Sequence, residues 1–127
     1  MTALARQNYV AALAFCLSGC GAQANPTFKD PAACVAAYGY LFDIAKGTPL
    51  ASDPHHAELK VRILFELEKL QKTEGLAKGQ RRAMNIRQRL TKEPKLAYSL
   101  ASHCTAEEAL TGDFDRERPR LQAIADQ

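Results

Sequence analysis

Aspartate is followed by proline twice in this chain, at Asp30-Pro31 and Asp53-Pro54, and a helix-length stretch ending in a glycine, Gly47 or Gly75, comes after each pair. An aspartate side chain accepts hydrogen bonds from the free amides of a first helical turn, and a proline placed there has no amide to leave unsatisfied. Glycine takes the left-handed backbone that ends a helix. The punctuation therefore marks helices, and the residue choice agrees. Alanine and leucine number 22 and 15, against 3 valines and 4 isoleucines, and branched side chains lose rotamer freedom against the preceding helical turn. No alternating strand pattern, internal repeat or glycine-rich phosphate loop occurs. A chain of 127 residues makes one small domain and excludes a Rossmann or barrel scaffold, a multidomain enzyme and a collagen-like chain. The expected fold is all-α, a small bundle of about four helices.

The apolar spacing orients these helices. Cys34, Tyr38, Leu41 and Ala45 share one face of the first. The second, from Pro54 to about Glu74, has a stripe of Leu59, Ile63, Leu67 and Leu70 widened by Leu64 and Phe65, with Lys60, Glu66, Glu68, Lys69 and Lys72 expected outward. Gly79 and Pro94 bracket a third with a narrow apolar side, Ala83, Ile86 and Leu90. A fourth begins near Pro94 and places Ala97, Leu100, Ala101 and Cys104 together. Thr105 and Glu108 have capping-box spacing and predict a further short helix ending near Gly112. The helical domain thus spans 30–112. Residues 113–127 mix charges around Pro119, offer only Phe114, Leu121 and Ile124 for burial, and read as a partly ordered tail.

Residues 1–19 have the zones of an export signal: Arg6 without a neighbouring acid, an apolar run from Tyr9 to Leu17, and small residues after it. The run is too short for a permanent membrane span, which needs roughly 20 apolar residues. Leu17-Ser18-Gly19-Cys20 resembles the lipobox of bacterial lipoprotein precursors at every position. That resemblance covers about the first 21 residues. It implies cleavage before Cys20, lipid on its thiol and a periplasm-facing, membrane-anchored protein of the cell envelope, with 20–29 as a tether. Gly21 lacks the aspartate that retains some lipoproteins at the inner membrane, so the resemblance favours the outer one. The alternative is a secretory signal cut after Ala24, which releases a soluble periplasmic protein starting at Asn25.

The four cysteines then divide by role. Cys16 leaves with the signal, Cys20 takes lipid, and Cys34 and Cys104 remain as an expected disulfide in an oxidising compartment. Closing a loop of about 70 residues contributes about 4 kcal/mol by chain entropy, enough to matter to a domain with a thin core.

Function is less legible. Lys78, Arg81, Arg82, Arg87, Arg89, Lys92 and Lys95 face only one acid, Glu93, within their stretch. They form a candidate surface for an anionic partner, an acidic protein or anionic lipid. Export argues against nucleic acid, the usual reading of such a stripe. A plain solvated face is the competing reading, with the charge neutralised by Glu66, Glu68, Glu74, Asp113, Asp115 and Glu117. His55 and His56 are adjacent and diverge on a helix, His103 next to Cys104 lacks a second base, and no metal-ligand, cofactor or redox Cys-x-x-Cys spacing occurs. The expectation is a non-enzymatic envelope lipoprotein acting as an interaction or accessory module. The mature part is also loosely similar to small helical periplasmic stress chaperones, which are exported and hold one disulfide. It departs from them in its cysteine separation and its lipobox.

Overall fold

The computed structural model describes Thr27 and residues 29–127, so the signal segment, the lipobox cysteine and most of the tether lie outside the described residues. Among the described residues five α-helices follow one another with short turns: α1 (Pro31–Ala45), α2 (Pro54–Glu74), α3 (Leu76–Lys92), α4 (Pro94–Thr111) and α5 (Asp113–Ala125). A 3₁₀ turn, Pro49–Ser52, lies between α1 and α2. No strand occurs among the described residues, and none of their helices is long and apolar enough to cross a membrane.

Both Asp-Pro pairs act as read. Asp30 accepts from the amide of Ala32 at 3.0 Å and Asp53 from that of His55 at 2.8 Å. α1 packs against α2, α3 and α4, and alanine makes that possible. Ala32, Ala33, Ala36 and Ala37 are buried and let neighbouring helices approach on more than one side. Cys34 is bonded to Cys104 of α4, with Cα atoms 5.9 Å apart, inside the normal disulfide range. The covalent clasp spans the α1/α4 core, together with Tyr38, Leu90, Ala97 and Leu100.

Gly75, at φ +86°, ends α2, and α3 starts at once. The expected α3 start at Gly79 is therefore late. Gly79 lies inside the helix because a Cβ there would come within 2.5 Å of Leu70 Cγ; glycine marks a close approach between helices, not a terminus. α4 likewise runs through the expected break at Thr105. The capping box does not form, since the Thr105 hydroxyl donates to the Ala101 carbonyl at 2.9 Å and Glu108 is held by other helices.

The largest departure is at the C-terminus. In place of a partly ordered tail, residues 113–125 form α5, which packs on α2 and α4. Two side chains seat it: Phe114 and Leu121 are 2% and 0% exposed against Val61 and Phe65. Pro119 removes one helical hydrogen bond. Tertiary burial outweighs that loss, because each large apolar side chain taken from water contributes about 2 kcal/mol. It also explains α2, where Val61, outside the expected stripe, is fully buried while Leu59, Ile63 and Leu67 are only half-buried: α5 covers a side that the spacing alone leaves to solvent.

Candidate functional site

On α3 successive residues turn through about 100°, so Lys78, Arg81, Arg82, Arg89 and Lys92 fall on a single arc of roughly 100°. Gly79, Ala83 and Leu90 are buried on the other side. Arg87 leaves this arc and pairs with Asp43 of α1, whose carboxyl is held below its ordinary range by that guanidinium. Lys95 follows the turn, near the start of α4.

Three members of the basic stretch have carboxylate partners. Arg82 donates to both oxygens of Asp30 at 2.8 and 2.7 Å and, through Nε, to Glu74 at 2.9 Å. Its guanidinium is accordingly held far more firmly charged than usual, chiefly by the bonds to Asp30 and Glu74. Arg87 takes Asp43, and Arg89 donates to Glu93 at 2.7 Å. Of the acids expected to neutralise the stretch, only Glu74 does so. Glu68 and Glu117 bind Arg120, Glu66 binds Lys69, and Asp113 binds Arg116. Lys78, Arg81, Lys92 and Lys95 are exposed and form no ion pair within 4 Å among the described residues, although the Lys78 charge helps hold the Glu74 carboxyl below its ordinary range. The expected cationic surface thus contracts to four side chains, three of them along one arc of α3.

A second cluster escapes the sequence reading. Glu66, expected outward, is 2% exposed, and Glu108 of α4 is 3% exposed. Two carboxylates in a protein interior need protons or cations. Both are supplied. The Tyr38 hydroxyl donates to Glu108 Oε2 at 3.0 Å, Arg62 pairs with Glu108 Oε1, and Lys69 donates to Glu66 at 3.2 Å. Arg62 also donates to Glu58 at 2.7 Å and lies over the Phe114 ring, 4.2 Å from its centroid. Burial opposes the charge of Arg62, and Glu108 with Glu58 more than restores it. Burial pushes the Glu66 carboxyl up to about 7; Lys69 pulls it down and Glu108 raises it further. The Tyr38 phenol is driven far above its ordinary value, first by burial and then by the Glu108 charge. No buried side-chain nitrogen or oxygen among the described residues lacks a partner, so this cluster closes on itself. Its sequence signal was faint. Glu66 has cations at i−4 and i+3, Arg62 and Lys69; Lys69 bonds it, whereas Arg62 is drawn to Glu108 of α4, a residue that no local spacing connects to Glu66.

The histidines have local tasks. His56 stacks on Phe42, with ring centroids 4.2 Å apart, and bonds the Phe42 carbonyl through Nε2 at 2.9 Å; His103 Nδ1 lies 2.7 Å from the Ser99 carbonyl. No group of three or more metal-binding side chains gathers among the described residues. No family model matches the chain, and no match is found among curated proteins or solved structures.

Proposed function

We propose that this chain is a non-enzymatic lipoprotein of the bacterial cell envelope, anchored through lipidated Cys20, whose helical domain serves as an interaction or accessory module. The observation that carries this reading is the Cys34–Cys104 disulfide. Such bonds persist in exported proteins and are rare where thiols are kept reduced. It agrees with the export signal and with Leu17-Ser18-Gly19-Cys20. The ionisable cluster supports a structural role, because Tyr38, Arg62, Glu66 and Glu108 are occupied where α1, α2 and α4 meet. Glu66 also weighs against an acid-loosened stress chaperone: a buried acid that keeps its proton to about 7 favours the fold in mild acid.

Intact mass of the membrane-extracted protein tests the reading. The expected chain begins at Cys20, carries added acyl mass and lacks two hydrogens for the disulfide. A chain starting at Asn25 overturns the anchor and leaves a soluble periplasmic protein.

A further inference from the structure

We infer that the solvent face of α3 docks on anionic phospholipid, with Lys78, Arg81 and Lys92 meeting headgroup phosphates. Three observations converge. First, α3 has no aspartate or glutamate over its 17 residues, and these three cations are exposed and locked in no ion pair among the described residues, Glu74 giving its hydrogen-bonded pair to Arg82 and reaching Lys78 only through space. Second, Arg82 grips Asp30 through two hydrogen bonds, so the chain enters the domain alongside this face. Third, Met84 is 62% exposed on the Arg81 side of the arc and offers an apolar side chain to the headgroup boundary.

Geometry makes the membrane that holds the anchor the natural occupant, and to that extent the inference rests on the lipoprotein reading. Ten residues separate Cys20 from Asp30, a reach of at most about 35 Å. The axis of α3 is about 25 Å long. A bilayer holding acyl chains at Cys20 is therefore within reach of the whole face at once. Attraction between exposed charges fades beyond about 8 Å at physiological ionic strength, so the helix must lie close to the plane to use it. A lipid anchor and a basic patch reinforce each other, as two weak membrane signals on one chain do. An acidic protein is the less suitable partner. The three cations lie on the convex side of a single helix, and the groove that α3 lines with Gln80, Ala83, Met84 and Arg87 opens towards α1 and α2 on its other side, so the charged arc has no seat for the buried aromatic or arginine anchors that dominate protein interfaces.

Amine-reactive footprinting of the full chain purified from membranes, read by mass spectrometry, decides the matter. The protein is bound to phosphatidylcholine vesicles with and without phosphatidylglycerol, and Lys72 on α2 serves as comparator. Labelling of Lys78 and Lys92 is expected to fall several-fold only when phosphatidylglycerol is present, and to recover in high salt, while Lys72 is unchanged. The combined variant Lys78→Glu, Arg81→Glu, Lys92→Glu is expected to bind the anionic vesicles about a hundredfold more weakly, since each surface cation contributes roughly fivefold. These positions are exposed, and an unaltered helical spectrum checks the fold of the variant. Equal labelling of Lys78 and Lys92 on both vesicles overturns the inference. Protection by polyglutamate but not by phosphatidylglycerol overturns it in favour of an acidic polypeptide. Retention on pure phosphatidylcholine reports on the anchor alone: a chain that washes off there yet shows the protection on phosphatidylglycerol loses the anchor and keeps the face.

Discussion

α1 and α5 attach to the rest of the bundle in opposite ways. α1 is clad in alanine, touches three helices and is tied to α4 by a covalent bond. α5 has two large apolar anchors, Phe114 and Leu121, and surrounds them with charge: Arg118 donates to Glu58 at 2.7 Å, Arg120 to both oxygens of Glu68, and Lys60 to the Ala125 carbonyl. Arg62 and Arg118 both lie over the Phe114 ring. One seam is packed with small residues and closed by a covalent bond; the other rests on a few large apolar anchors ringed by ion pairs. Small residues allow close backbone approach but bury little area each, so a seam built from them gains from a cross-link that constrains the unfolded chain. A seam with one aromatic anchor gains instead from cations stacked on its ring and from carboxylates that hold those cations in place.

The largest effect is expected at the first seam. Replacing Cys34→Ser and Cys104→Ser together should lower stability by about 4 kcal/mol, read as a shift of the urea midpoint, and reduction of the native protein should give the same shift. A change below about 1 kcal/mol would mean that α1 is held by packing alone, and the contrast between the seams would collapse. Next comes Phe114→Ala, expected to cost about 3 kcal/mol and to release α5 first. Hydrogen exchange should then speed up across 113–125 while amides of α1 stay protected. Uniform loss of protection would make the two seams one cooperative unit.

A smaller effect, and one with a distinctive pH signature, is expected at Glu66. An unfolded glutamate ionises near 4.5, whereas folded Glu66 keeps its proton to about 7. Its contribution to stability is therefore fully present below 4.5, declines as pH rises and is lost above about 7. Glu66→Gln keeps the shape without the charge. It should raise stability at pH 8 by on the order of 2 kcal/mol and flatten the decline between pH 5 and 8, measured by denaturant titration at each pH. Asp43, Glu58 and Glu68, held low by their arginine partners, act in the opposite direction and weaken the fold only as pH falls through their ordinary range and below. An identical pH profile in the Glu66 variant would remove Glu66 from the account.

The two seams also differ in how far they can be read from residues alone. The α1 seam was legible: Asp30, Pro31 and Gly47 delimit the helix, its spacing turns Cys34 and Tyr38 inward, and the spacing in α4 does the same for Cys104. The α5 seam was not. Its three apolar positions over fifteen residues look too few for a packed helix, and Pro119 argues for a break. What holds it comes from 52 to 60 positions away, in Glu68 and Glu58. The cationic stretch was partly legible. Sequence placed seven basic residues together, but Asp30 and Asp43, which neutralise two of them, belong to α1 and not to the segments expected to supply the acids.

Local backbone chemistry determined the class of fold and the main helix boundaries. A capping aspartate, a proline without an amide and a glycine with positive φ act within a few residues of their own position. The cysteine pairing followed from counting roles and from helical periodicity. The tertiary structure alone decided which charges face solvent, that α5 is a helix, and that Glu66 lies inside. The free energy of a buried carboxylate or a lone aromatic depends on groups brought from other helices, and that information is not local to any stretch of the chain.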